Sequence, residues 1–144
     1  MRSLLDVNLL IALLDAAHVS HTAASRWAAV NLQDGWASCP ITQNGCIRIM
    51  SQPAYPGALP AAQVAARLAE ATQHAQHAFW PDSISLLQEG VISWDRLLGH
   101  RQVTDGYLLA LAVGNGGRLA TFDQRIDVLS APGATSRNLV VLAG

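Results

Sequence analysis

The sequence predicts one α/β domain over residues 1–144, with a central parallel sheet of four or five strands and helices on both faces. Two observations carry that reading. Short apolar runs of strand length alternate with longer segments of helical periodicity, the order expected of successive βα units. A chain of 144 residues also buries roughly two-thirds of its unfolded surface, enough for one substantial core and too little for two.

The first apolar run, Ser3-Leu4-Leu5, reads as a buried strand ending at Asp6, and Val7 to Leu14 as the helix that follows. His21 to Gln33 is alanine-rich and helical, and Gly35 ends it. Trp36 to Cys39 is a second short strand, after which Thr42 is expected to cap a helix through Met50. Ser51 to Leu59 has the turn chemistry of a loop. Pro60 suits the first turn of a helix running to about His74, and Ala78 to Trp80 is the third strand. Ile84 to Leu98 is ambiguous, with a short helix near Trp94 to Leu98. Thr104 is expected to cap a helix from Asp105 to about Val113, stopped by Gly114-Asn115-Gly116-Gly117. Arg118 to Thr121 is the fourth strand and Asn138 to Leu142 the fifth.

Composition narrows the function classes. The hydrophobic fraction is 51%, yet no run approaches the roughly 18 apolar residues of a membrane span, and the surplus is expected at an interface. Met1 to Asp6 lacks the layout of a secretory leader, which places the protein in the cytoplasm, away from any membrane. Cys39 and Cys46 read as reduced core thiols. Net charge is -1, so nucleic-acid binding would need a local patch. All nine basic residues are arginine. Without lysine, a P-loop and a Schiff-base mechanism are both excluded.

Three carboxylates stand out. Counting from Asp105 along its helix, i+3, i+4 and i+7 are Leu108, Leu109 and Ala112, so Asp105 lies over the buried stripe. Asp6 closes one apolar strand and Asp123 directly follows another, which puts both at the carboxyl ends of parallel strands, the edge where open α/β sheets bind ligands. Taken singly, each also fits a cap or a turn. Such a cluster repels itself unless a cation compensates. Oxygen-only ligands favour magnesium or manganese, which suit phosphodiester hydrolysis by a metal-activated water.

Four segments in this order resemble the VapC ribonuclease toxins, which are PIN-domain proteins: Leu5-Asp6-Val7-Asn8-Leu9-Leu10-Ile11-Ala12-Leu13-Leu14; the His18, His21, Ala24, Trp27 spacing; Val103-Thr104-Asp105-Gly106-Tyr107-Leu108-Leu109-Ala110-Leu111-Ala112; and Leu119-Ala120-Thr121-Phe122-Asp123. The likeness spans nearly the whole chain. It implies a PIN-like three-layer fold and a magnesium-dependent endoribonuclease acting on single-stranded or structured RNA. It also implies a homodimer silenced by a cognate VapB-like antitoxin. The family uses four acidic residues, which fall here at Asp6, position 43, Asp105 and Asp123.

Position 43 is glutamine. Pro40-Ile41-Thr42-Gln43-Asn44-Gly45 resembles a family segment reading Thr-Glu-Asn-Gly, and helical spacing puts Gln43 on a face with Cys46, Ile47 and Met50, pointing inward. An amide carbonyl is a weaker ligand than a carboxylate, so Gln43 is expected to lower metal affinity and activity. Asn8 and Thr121 are placed to orient a ligand or water, and Arg48, Arg101 and Arg125 to contact phosphate. The pairs His18/His21 and His74/His77 lack the further ligands of a zinc site, and His100 reads as a polar residue flanking a helix. The tryptophans read as core or dimer packing. Two alternatives remain: an inactive module that binds antitoxin or RNA, and a phosphatase with Asp6 as nucleophile, which usually wants an aspartate where this chain has Asn8.

Overall fold

Strands of three or four residues cannot hold a sheet unless nearly every side chain is buried, and this chain meets that condition at the centre of its sheet. The computed structural model describes residues Met1 to Gly144. Strands β1 (Ser3–Leu5), β2 (Trp36–Ser38), β3 (His77–Phe79), β4 (Arg118–Thr121) and β5 (Leu139–Val141) form one sheet in the order β3-β2-β1-β4-β5. Every pairing is parallel, with Leu5 opposite Ala120 and Ala37 opposite Ala78. β1 and β2 are buried throughout, whereas the edge strands β3 and β5 are only partly covered.

Helices α1 (Val7–Leu14), α2 (His21–Asn31), α3 (Pro40–Met50) and α4 (Ala61–Thr72) pack on one face, and α5 (Val103–Gly114) on the other. Alternation along the strands divides the core accordingly. Leu5, Trp36 and Ala120 join Leu9, Cys46, Val64 and Leu68, while Leu4, Ala37 and Leu119 join Leu108, Leu109 and Leu111. The asymmetry follows from handedness. The chain steps from β1 to β2 to β3, then reverses to reach β4, and a right-handed crossover in the reverse direction must pass over the opposite face. Between β1 and β4 the sheet therefore has a topological switch point, with β1 and β4 ending side by side.

The three-layer α/β architecture is the expected one, with five strands, and several boundaries move. α3 begins at Pro40, so Thr42 lies inside the helix instead of capping it. Cys39 is the cap, and its backbone N–H donates to Thr42 Oγ1 at 3.0 Å. α5 likewise begins at Val103, which makes Thr104 a first-turn residue and Gln102 the cap. α2 gives way to a 3-10 turn at Leu32–Asp34, after which Gly35 at φ 97° turns the chain into β2. Near Trp94 there is a 3-10 turn, Trp94–Arg96, in place of a helix. No helix is long and apolar enough to cross a membrane.

α1 and α3 approach closely because position 45 has no side chain. A Cβ on Gly45 would lie 2.7 Å from Val7 Cγ2 and 3.3 Å from Cγ1. The β-branched Val7 has little rotamer freedom with which to yield. Gly45→Ala is expected to destabilise the fold by about 1–3 kcal/mol through overpacking. Val7→Ala should recover much of that loss in the double variant, read as the urea midpoint of each member of the cycle.

Candidate active site

Asp6 leaves β1 in extended conformation and caps α1, and it is buried at 6% exposure. Its carboxylate accepts from the Val7 N–H at 2.8 Å through Oδ1 and from the Thr121 hydroxyl at 2.6 Å through Oδ2. Thr121, the last residue of β4, is itself fully buried. Its Oγ1 also accepts from the Asp123 N–H at 3.0 Å. Asp123 closes a turn by accepting from the Arg125 N–H at 2.9 Å, with Arg125 Nε 3.4 Å from the same oxygen. Asp105, half-buried in the first turn of α5, lines the same cleft as Asp6 and Asp123 and feels the charge of both.

The electrostatics follow from this packing. Burial raises the Asp6 carboxyl above its ordinary value despite the Thr121 and Val7 donors, and the Asp123 charge adds to the effect. Burial pushes Asp105 up to about 7, reinforced by the charges of Asp6 and Asp123. The Arg125 N–H and guanidinium hold Asp123 below its ordinary value. At neutral pH Asp105 is thus partly protonated while Asp123 stays ionised.

A cleft of about 440 Å³ opens over these groups, and Asp6, Asp105 and Asp123 all line it. Asn8, Asn44, Arg48, Arg101 and Thr104 complete its polar wall. Asn8 is exposed there, open to a ligand. Thr121 does not line it: its hydroxyl is taken up by Asp6 and Asp123, which makes it a positioning residue where a ligand contact was expected. Arg48 and Arg101 make no ion pair in the chain, and Arg125 pairs only with Asp123.

Gln43 turns its amide away from this cleft, toward Ser38. α3 presents Ile41, Asn44, Gly45 and Arg48 to the cleft, and Gln43 is absent from its wall. The Gln43 amide donates from Nε2 to Ser38 Oγ at 3.0 Å, and Ser38 Oγ lies 2.8 Å from His77 Nε2. His77 is tilted against Trp36, with ring centroids 4.5 Å apart, and burial lowers its pKa. The glutamine is inward-facing, but toward β2 and β3.

His18, His21 and His74 serve local structure. His18 Nδ1 accepts from the Ser20 N–H at 3.0 Å, His21 Nδ1 lies 2.7 Å from the Ala12 carbonyl, and His74 pairs with Gln76 at 2.9 Å. Cys39 and Cys46 are buried free thiols. The sequence marks neither Asn44 nor Thr104 as a site residue. Thr104 adjoins Asp105, but nothing in the periodicity marks either one as a cleft residue.

No group of three histidine, cysteine or acidic side chains closes into a ready-made cage for an ion. The donor set nevertheless fits a hard cation. Its members are carboxylate oxygens that line one cleft, and no lysine is available to neutralise them. Magnesium is commonly held by one or two carboxylates and keeps its remaining waters.

No family model matches the chain. Ribonuclease VapC44 of Mycobacterium tuberculosis is 50% identical over 142 residues, 99% of this chain and 100% of that protein. Ribonuclease VapC39 of the same organism is 45% identical over 124 residues, 85% of this chain and 89% of that one. Among solved structures, Mycobacterium tuberculosis VapC20, a Sarcin-Ricin loop cleaving toxin, matches with a TM-score of 0.58 at 13% identity, over 81% of this chain and 85% of its own. VapBC2 from Rickettsia felis, bound to a DNA fragment from its promoter, matches with a TM-score of 0.59 at 11% identity, over 99% and 100%. The structural likenesses speak for the fold and the full-length identities for descent: this chain belongs to the VapC family of PIN-domain ribonuclease toxins.

Proposed function

We propose that this chain is an endoribonuclease that hydrolyses single-stranded RNA, or an unpaired stretch of structured RNA, with a divalent cation, magnesium or manganese, held at Asp6, Asp105 and Asp123. The observation that carries this reading is the meeting of three carboxylates at the switch point, where burial, reinforced by the charges of Asp6 and Asp123, lifts Asp105 to about 7. A fold that concentrates negative charge to its own cost implies a cationic ligand. Asp105 and Asp123 fit as direct ligands, with Asp6 acting on the ion or its waters. A cation bound there supplies a water of lowered pKa and polarises the scissile phosphate.

The chain's own groups do the rest. Thr121 and the Val7 N–H fix the Asp6 carboxylate, and the Arg125 N–H fixes Asp123. Arg48 and Arg101, unpaired in the cleft wall, are suited to hold phosphate oxygens in a bidentate fashion. Asn8 and Thr104 offer hydrogen bonds to water or ribose. A phosphatase with Asp6 as nucleophile is disfavoured, since position 8, where that chemistry usually wants a second aspartate, is Asn8. By family membership, an antitoxin of the VapB kind is the expected protein partner and a homodimer the expected assembly. Co-purification with the product of an adjacent small reading frame tests the first, and light scattering the second.

The placement of Gln43 on Ser38 favours a structural role over a weakening of the metal site. Gln43→Glu is expected to leave the magnesium dependence of RNA cleavage within about twofold. It should lower the melting temperature, because the Ser38 hydroxyl loses a donor and faces a new charge. A large gain in rate at limiting magnesium would return Gln43 to the site as a handicapped ligand.

Thr121→Val should reduce magnesium affinity or cleavage by about 10–100-fold, the usual effect of removing a group that orients a ligand. Isothermal titration and a cleavage assay measure this. The Asp105 carboxyl binds its proton more tightly in the folded chain, about 7 against an ordinary 3.8. Its contribution to stability is therefore full below about pH 4 and is lost as pH rises through about 7. In metal-free protein the melting temperature of Asp105→Asn should exceed that of the parent by a margin that widens from pH 5 to pH 8. Magnesium should narrow the margin, since only the parent gains from binding it.

A further inference from the structure

Beside the cleft lies a second, smaller recess of about 240 Å³ that the family reading does not assign. Leu98, His100, Arg101 and Gln102 form one wall, and Asp123 and Arg125 the other. Two of these residues make the recess continuous with the cleft: Arg101 and Asp123 line both. Arg125 and Asp123 also line a third hollow, with Asn8, Phe122 and Gln124. A phosphate placed over Asp105 and Asp123 therefore has two hollows adjoining it, and only the one walled by Leu98 to Gln102 brings in a second arginine.

The wall of this recess is held in place. Leu97 lies against α5 where Gly106 has no side chain, its Cδ2 3.2 Å from where a Cβ would stand. The Leu98 N–H donates to Gln102 Oε1 at 2.7 Å, which closes the turn and fixes Gln102 in a structural role. What remains free is specific in kind. Leu98 is 87% exposed, an unusual setting for a leucine beside charged groups. The His100 ring and the Arg101 guanidinium are exposed, and neither makes a hydrogen bond or ion pair within the chain. Arg125 engages Asp123 through Nε alone, so its two terminal nitrogens are available.

We propose that this recess seats the nucleotide next to the scissile phosphate, its phosphate between Arg101 and Arg125 and its base against Leu98 and the His100 ring. The proposal rests on the ribonuclease reading and adds to it the segment that selects sequence. Single-stranded nucleic acid is bound by cationic groups that follow the backbone and by apolar or aromatic faces that stack on bases, and here both occur within one recess. An acidic peptide would satisfy the arginines but leave the leucine and the imidazole without a partner. Recognition through a connecting segment is also where specificity is most readily altered without disturbing the core.

The test uses the full chain with magnesium and a pool of single-stranded RNA of randomised sequence, about ten nucleotides long. Arg101→Gln, His100→Ala and Leu98→Ala change exposed side chains, and unchanged melting temperatures verify that each variant folds. Arg101→Gln should raise KM about tenfold with kcat within about twofold, and should reduce the slope of log(kcat/KM) against log[salt] by about 0.7, the value for one lost phosphate contact on a single strand. Arg137→Gln, an exposed arginine near the opposite ends of the strands, should change neither. Sequencing of the cut ends should show that His100→Ala and Leu98→Ala relax base preference at one position adjoining the cut.

Parent-like KM and salt slope in Arg101→Gln, equal effects of Arg137→Gln, or unaltered base preference in both wall variants would each overturn the subsite while leaving the ribonuclease reading intact. RNA kinetics unchanged by Arg101→Gln, together with weakened binding of a polyglutamate peptide, would overturn it in favour of an acidic protein partner. A parent chain that cuts no RNA would overturn both readings together.

Discussion

One hydroxyl joins the two halves of the sheet at the carboxylate cluster: Thr121 donates to Asp6 Oδ2 at 2.6 Å and accepts from the Asp123 N–H at 3.0 Å. Its position depends on the pairing of β1 with β4. Leu5 stands opposite Ala120, and the Asp6 N–H donates to the Ala120 carbonyl at 2.9 Å. A slip of one residue would turn Leu5 and Ala120 to the wrong face and move Thr121 away from Asp6 together. The strand register that builds the core is therefore also the register that assembles the site.

The carboxylates gathered at this edge work against the fold that holds them. Asp6 and Asp105 are both raised by burial, and the charge of Asp123 raises each further. The chain relieves little of that strain itself, since Arg125 pairs with Asp123 and only tempers Asp105, while Arg48 and Arg101 stay unpaired. Unanswered acids beside unanswered guanidiniums make sense for a ligand that brings both a cation and phosphates. Stability given up at such a site is the usual counterpart of function.

α3 illustrates what periodicity conveys and what it omits. Gln43 shares a face with Cys46 and Met50, and all three point into the protein, as the spacing requires. Yet inward covers a wide arc of the helix. The cleft meets α3 along Ile41, Asn44, Gly45 and Arg48, while Gln43 meets Ser38 and, through it, His77. The amide suits that place as a donor, since the buried Ser38 hydroxyl has His77 Nε2 as its second partner. A helical wheel gives angles relative to the core, and only the packed neighbours say which of those angles opens on a cavity.

The sequence by itself determined the layer architecture, the order of strands and helices, and the three aspartates as an unusual set, because these depend on local pattern: apolar runs, period, and acids placed against that period. It also located Asp6 and Asp123 at strand ends, since a strand end is a local property. Tertiary structure decided which neighbours those acids have. The hydroxyl of Thr121 was committed to Asp6 by the β1–β4 pairing, Gln43 was assigned to Ser38, and residues near Leu98 in an ambiguous stretch were brought beside Asp123 by the packing of Leu97 over Gly106. Each of these joins residues far apart in the chain through a contact whose geometry is fixed only once the sheet is closed and the helices are seated on it.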